Sequence, residues 1–146
     1  MTENPEQEYQ QLFYTYYSLR MQLESSMNAL TQIQNVLDGI SISNSVIQEL
    51  EGKKKNHEII LPIGNFAYIK AKISNPDKIL ISIGRKTLVE RDTKQALDFI
   101  RKKRDELQKQ EDILKKTLEE TSAKLQELEP LLAQYEKQGF KPPQLL

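Results

Sequence analysis

The side chains that most often carry out chemistry are scarce in this sequence. Histidine occurs once, at His57, and cysteine is absent from the 146 residues. A single histidine without thiolate companions is not expected to form a zinc site or a Cys–His nucleophile pair. Asp and Glu are spread over regions that read as helix faces, where exposure to water explains them. We therefore expect no catalytic residue, no metal and no cofactor, and we predict that the protein is not an enzyme.

Phosphate binding is equally poorly supported. Gly64 and Gly84 are isolated turn glycines and match neither a phosphate loop nor a dinucleotide fingerprint. The basic runs at residues 53–55 and 101–104 could contact phosphate, but acidic residues follow the second run at helical spacing and offset it. Lys and Arg together number 21, as do Asp and Glu, so formal net charge is zero. This balance gives no general attraction to nucleic acid or to an anionic membrane, and we expect neither as a partner.

The first ten residues are polar and acidic, unlike a secretory signal peptide. No apolar run approaches the roughly 20 residues that cross a bilayer. The absence of cysteine is compatible with a reducing compartment. These features predict a soluble, intracellular protein.

The first third of the chain predicts a long helix over about residues 6–51. Steps of four and three residues connect positions that are almost all apolar, which is the seam of a coiled coil. The seam positions are Leu12, Tyr16, Leu19, Leu23, Ser26, Leu30, Ile33, Leu37, Ile40, Asn44 and Ile47.

The last third predicts a second helix over about residues 92–138, with Asp92 or Thr93 as its N-cap and Gly139 as its end. A flexible tail is expected at 139–146. Because the two arms have matched lengths, they can pair antiparallel within one chain. The second seam comprises Leu97, Ile100, Arg104, Leu107, Glu111, Leu114, Leu118, Thr121, Leu125, Leu128, Leu132 and Tyr135.

Residues 57–91 have a different pattern, with β-branched residues in alternation and turn signals between them. We predict two β-hairpins within a single domain that covers residues 1–146. Two short hairpins are marginally stable alone, so their edges and apolar side chains are expected to be buried by other subunits. The predicted interface residues are Ile59, Leu61, Ile63, Tyr68, Ile69, Ile73, Ile79, Ile81, Ile83, Leu88 and Val89.

Both chain ends carry more aromatic and aliphatic residues than a two-helix seam requires. One interpretation is that the surplus staples the helix ends together, and the other is that it binds apolar segments of other proteins. Leu145 and Leu146 extend the apolar character of the end, and Pro130 is expected to loosen the second helix nearby. The candidate binding residues are Tyr9, Leu12, Phe13, Tyr14, Tyr17, Leu131, Tyr135 and Phe140.

The order of arm, two hairpins and arm resembles prefoldin subunits of the alpha class over nearly the whole chain. The stretch LPIGNFAYIKAKISNPDKILISIG, Leu61 to Gly84, is similar to the family's two hairpins, and TLVERDTKQALDFI, Thr87 to Ile100, to its last strand entering the second helix. The resemblance implies a mainly α fold with a small β insert, whose hairpins join a β-barrel platform of two alpha-class and four beta-class subunits. It also implies ATP-independent holding of unfolded polypeptides at the arm tips and their delivery to a group II chaperonin.

Two alternatives remain open at this point. One is a filament-forming, prefoldin-like structural subunit, and the other is a coiled-coil scaffold with a single fixed partner.

Overall fold

The computed structural model of the chain describes residues 4–144. Its elements are α1 (Pro5–Leu50), β1 (His57–Pro62), β2 (Tyr68–Ile73), β3 (Lys78–Ser82), β4 (Leu88–Asp92) and α2 (Thr93–Lys137). The predicted fold class, two long helices with two antiparallel hairpins between them, is confirmed. Assembly of the hairpins into a barrel with other chains stays a prediction. Leu145 and Leu146 lie outside the described residues.

Side-chain caps begin both helices. In α1, Asn4 is the N-cap and its Oδ1 accepts a hydrogen bond from the Glu6 N–H at 3.1 Å, while Pro5 occupies the first helical position, where a missing N–H costs nothing. In α2, the Gln95 N–H donates to Asp92 Oδ1 at 2.8 Å and the Gln95 side chain accepts from the Asp92 N–H at 3.3 Å. This reciprocal pair is a capping box, so Asp92 rather than Thr93 caps the helix.

The chain divides into two compact units. The terminal unit comprises the described residues 4–35 and 109–144. There the Tyr9 hydroxyl donates to Glu136 and the Tyr16 hydroxyl donates to Glu129. One heptad forward along α1 therefore corresponds to one heptad backward along α2, and the two segments pair antiparallel. All seam positions predicted for this unit are buried or half-buried.

The hairpin unit comprises residues 36–108. β1 pairs with β2 and β3 pairs with β4, as two separate two-stranded sheets. In the first hairpin Leu61 lies opposite Ile69, and in the second Ile81 lies opposite Val89. The second hairpin packs on the adjoining helix segments through a core of Ile47, Ile81 and Ala96, with Ile79, Leu97, Phe99 and Ile100 partly buried around it.

Pro130 lies inside α2, which continues without interruption to Lys137. The proline removes one backbone donor and crowds the carbonyl one turn earlier. Its position on the exposed side of the helix leaves the neighbouring seam residues Leu128 and Leu132 shielded. The helix therefore accommodates the proline without ending at it.

Candidate functional site: two apolar surfaces

Four rings close the end of the terminal unit, and we call Tyr9, Phe13, Tyr135 and Phe140 the aromatic cluster. Tyr9 is at its centre and is only 1% exposed. Its ring centroid lies 5.7 Å from those of Tyr135 and Phe140 and 6.3 Å from that of Phe13, all in tilted geometry. Such aromatic contacts contribute beyond simple area burial, so the cluster staples the helix ends.

The backbone turn that ends α2 delivers Phe140 to this cluster. Gly139 has φ +100°, and its N–H donates to the Glu136 carbonyl at 3.1 Å, while the Phe140 N–H donates to the Tyr135 carbonyl at 3.2 Å. These two bonds form a Schellman motif. The Phe140 ring then meets Tyr135 edge-on at 5.4 Å. The position read from the sequence as a helix stop thus also folds the chain back onto the cluster.

Tyrosine hydroxyls bind carboxylates across the two helices. The Tyr135 hydroxyl donates to Glu8 Oε2 at 2.7 Å, the Tyr16 hydroxyl to Glu129 Oε1 at 3.1 Å and the Tyr9 hydroxyl to Glu136 Oε1 at 3.4 Å. Burial is the largest cause of the raised pKa values of Tyr9 and Tyr16, and their carboxylate partners add to it. For Tyr135 the hydrogen bond to Glu8 is the largest cause of the raised pKa.

The eight candidate tip residues fall into different environments. The four cluster rings are buried or half-buried, and Leu12 is half-buried. Tyr14, Tyr17 and Leu131 remain 48%, 41% and 45% exposed. The staple interpretation therefore applies to the cluster rings, and binding of other proteins by the exposed residues stays a prediction.

Sequence reasoning missed one member of the exposed group, Met21, which lies one turn beyond Tyr17 and is also exposed. Tyr14, Tyr17 and Met21 recur at three and four residues, so they form a second stripe beside the seam. This spacing was the signal that could have found it. Similarly, continuing the seam back by three residues from Leu12 reaches Tyr9, the buried centre of the cluster.

The second apolar surface is on the hairpins. Of the predicted interface residues, six are exposed: Leu61, Ile63, Tyr68, Ile69, Ile83 and Leu88. Four are half-buried, namely Ile59, Ile73, Ile79 and Val89. Ile81 is 7% exposed and belongs to the core within the chain. Ile60, Leu80 and Phe66 were not among the candidates, although all three are exposed.

Two apolar cavities open beside the hairpins. One of about 450 Å³ is lined by Ile42, Val46, Leu80 and Phe99 among others. Another of about 570 Å³ is lined by residues that include Val46, Leu50, Ile59 and Ile73. The hairpin unit therefore leaves apolar surface uncovered on both hairpins.

Within residues 4–144 no group of three or more His, Asp or Glu side chains is placed to hold a metal ion. His57 is exposed at the start of β1. Neither helix, over its described length, has an apolar stretch sufficient to cross a membrane.

Comparison with known proteins agrees with this architecture. The family model for prefoldin subunits matches residues 18–138. The chain belongs to the prefoldin family. The prefoldin subunit alpha of Methanococcus vannielii is 31% identical over 119 residues, which cover 74% of this chain and 82% of that protein. The prefoldin subunit alpha of Methanococcoides burtonii is 26% identical over 99% of this chain and 100% of its own length.

A solved structure shares the prefoldin fold. It is a chain from the cryo-EM structure of filamentous PFD from Methanocaldococcus jannaschii, with a TM-score of 0.64, 19% identity and coverage of 81% of this chain and 95% of that chain. The resemblance to alpha-class prefoldin drawn from residues 61–100 is confirmed, and the chain is a member of a family of chaperone subunits.

Proposed function

We propose that this prefoldin subunit is an ATP-independent holdase that captures unfolded polypeptides and passes them to a group II chaperonin. The observation that carries the proposal is the exposure of Tyr14, Tyr17 and Leu131 next to a closed aromatic cluster. Because other rings already staple the helix ends, these three side chains are free to contact a client. The proposed site of action is the cytoplasm.

The expected contacts are individually weak. Apolar burial contributes about 25 cal/mol per Å², and a flexible client loses conformational entropy when it is held. Several arms acting on one client would raise avidity through effective concentration. Weak contacts of this kind suit a holdase, since the client must later be released without nucleotide hydrolysis.

The proposal places the exposed hairpin surface in a platform with other prefoldin subunits, two alpha-class and four beta-class. Supporting it are the exposed Leu61, Ile69, Leu80 and Leu88 and the cavities beside the hairpins. Each sheet has only two strands, so every strand has one edge without a partner strand within the described chain. Joining such edges to those of other subunits would satisfy the backbone groups and bury the apolar side chains.

The test replaces the exposed side chains and leaves the staple intact. Tyr14→Ser, Tyr17→Ser and Leu131→Ser together should strongly reduce the suppression of client aggregation, measured by light scattering. The matched control is Met27→Ser, Val36→Ser and Ile113→Ser, three comparably exposed residues elsewhere on the helices. Native mass spectrometry checks that both variants assemble like the parent. Equal loss of holding in the control, or none in the tip variant, would contradict the proposal.

A second reading is a filament-forming structural subunit. The observation that favours it is the similarity of fold to a chain from filamentous PFD. Native mass spectrometry with a beta-class subunit separates the two readings, because a holdase of the proposed kind forms a discrete hexamer and a filament subunit forms open assemblies. A scaffold with one partner is separated by client range, since it should ignore assorted denatured proteins.

A further inference from the structure

Charge is unevenly distributed along this electrically balanced chain. Residues 52–94, which hold both hairpins, contain ten Lys or Arg and four Asp or Glu. The first helix is correspondingly poor in cations, with Arg20 as its only Lys or Arg. The zero net charge of the whole chain therefore conceals a cationic β insert.

The two faces of the first hairpin differ in character. Ile59 lies opposite Ala71 and Leu61 opposite Ile69 on one face, which is apolar. On the other face Ile60 lies opposite Lys70 and Glu58 lies opposite Lys72, so this face carries two lysines and one carboxylate near the base of the hairpin. If the apolar face turns inward in the proposed platform, alternation keeps Lys70 and Lys72 on the outside. This step rests on the proposed function.

Along the outward side of β2, the side chains change from cationic at the base of the hairpin to aromatic near its turn. Lys72 and Lys70 lie towards the base of the hairpin and Tyr68 towards its turn, and Phe66, 96% exposed, lies in the turn itself. Tyr68 was among the predicted interface residues, but it shares a face with Lys70 and Lys72 and would lie outside the platform with them. Successive outward residues of β2 are spaced by about 7 Å, so Lys72 to Tyr68 span roughly 14 Å, and Phe66 lies beyond them in the turn. At the base, the Asn56 N–H donates to the Ile73 carbonyl at 2.7 Å. This bond holds the exposed lysine run 53–55 next to the cationic end.

We propose that this strip, Lys72, Lys70, Tyr68 and Phe66, binds an acidic polypeptide segment that continues into apolar residues. Carboxylates of the segment meet the lysines at the base, and its apolar end packs on the two rings. An extended nucleic acid is a poorer match, because every nucleotide carries both a phosphate and a base and calls for cations and rings that are interleaved. Here the cations and the rings are separated along the strand.

The experiment uses the full-length chain in its assembled form and a fluorescein-labelled peptide with a run of Glu and Asp followed by Phe-Leu-Phe. Fluorescence anisotropy should show binding that weakens with added salt, since exposed charge pairs are screened. Lys70→Glu with Lys72→Glu should weaken binding about tenfold, as two attractive contacts become repulsive. The matched control, Lys115→Glu with Lys116→Glu on the second helix, should bind like the parent. Tyr68→Ser with Phe66→Ser should weaken binding of this peptide but not that of an all-acidic one.

A peptide of the same composition with acidic and apolar residues interleaved should bind more weakly than the segregated one. Tighter binding of oligothymidine than of the segregated peptide would overturn the proposal in favour of nucleic acid. Equal effects of the strip and control variants would overturn it in favour of non-specific charge attraction. Sedimentation on the same samples reports assembly separately, so failure of the platform and failure of the strip are distinguishable. If Lys70→Glu with Lys72→Glu alters assembly, the same binding measurement is made on Lys70→Gln with Lys72→Gln.

Discussion

At the scale of single residues, backbone strain is concentrated in the turn of the second hairpin. Arg85 and Lys86 have φ of 50° and 59°, and the Thr87 N–H donates to the Gly84 carbonyl at 2.9 Å. Two consecutive left-handed residues make a type I′ turn, which favours Asn-Gly because other side chains are crowded there. The chain thus has a stabilising substitution available at an exposed site.

We expect Arg85→Asn with Lys86→Gly to raise the free energy of unfolding by about 1–2 kcal/mol, from relief of left-handed strain. Thermal unfolding followed by circular dichroism, at one fixed protein concentration, measures the change. Lys86→Ala is the control, since alanine keeps the steric cost of positive φ and should give no gain. A gain of equal size from alanine would show that the turn is not the source of strain.

The hydrogen bond from Tyr135 to Glu8 has a consequence for alkaline pH. The folded-state pKa values of Tyr9, Tyr16 and Tyr135 lie above the ordinary 10.0. Their contribution to stability is therefore complete below pH 10.0 and is lost as pH rises through the raised values. Glu8→Leu should lower the pKa of Tyr135, measured by NMR titration. Glu6→Leu, the other acidic residue in the first turn, should leave that pKa unchanged, and an equal shift from it would contradict the assignment.

At the scale of elements, two glycines in helical contexts predict opposite responses to alanine. Gly39 lies inside α1 and Gly139 ends α2 at φ +100°, and an added Cβ meets no atom within 4 Å at either site. The backbone preference at each position then decides whether alanine raises or lowers the stability. Gly39→Ala should stabilise by up to about 1 kcal/mol, whereas Gly139→Ala should destabilise by about 1–2 kcal/mol. Thermal unfolding tests both signs, and hydrogen exchange of the last turn of α2 should rise only in the second variant.

The antiparallel register of the terminal unit predicts which positions can be crosslinked. The hydrogen bonds pair Tyr9 with Glu136 and Tyr16 with Glu129. Extending this register by less than one heptad along both helices places Leu19 next to Leu125. Cysteines at these two positions should crosslink within one chain on oxidation, detected as a monomeric band of altered mobility. Leu19→Cys with Leu118→Cys is also a seam pair but lies one heptad out of register, and it should not crosslink. Crosslinks found only between chains would contradict the intramolecular pairing.

At the scale of the whole molecule, the hairpin unit contains two kinds of apolar residue. Some are buried in the core of the chain itself, and others are exposed and available to a partner. Ile69 is exposed, whereas Ile81 is in the core with Ile47 and Ala96. Leu80 and Leu88 lie on the face of the second hairpin opposite Ile81 and are exposed. A charge placed at these two kinds of position should have different effects.

Ile69→Lys should block assembly while leaving helicity intact, because it places an unpaired charge in the proposed subunit interface. Ile81→Lys should lower the unfolding temperature of the chain itself, since the lysine would be buried within its own core. Sedimentation and circular dichroism on the same samples distinguish the outcomes. Unchanged oligomers in Ile69→Lys, with a beta-class subunit present, would place the interface elsewhere.

The sequence by itself determined the features that depend on local periodicity. A repeat of four and three residues can bury one stripe only as a helix pair, and alternation can shield one face only as a strand, so the seams and both hairpins were readable in advance. Gly139 and Asp92 marked helix ends because their backbone geometry and side-chain oxygen satisfy groups that every helix end leaves free. The marginal stability of two short hairpins added the expectation of a partner for them, and the family resemblance specified beta-class subunits as that partner.

Only the tertiary structure decided how apolar residues of similar appearance divide their roles. Ile81 and Leu80 are neighbours of equal hydrophobic character, yet one packs on Ile47 and Ala96 and the other stays exposed. Tyr9 and Tyr14 likewise differ because only Tyr9 faces Tyr135 and Phe140. Periodicity shows which residues share a face, but not which face meets a distant segment of the chain. That choice depends on contacts between residues far apart in sequence, and these form only when the chain folds.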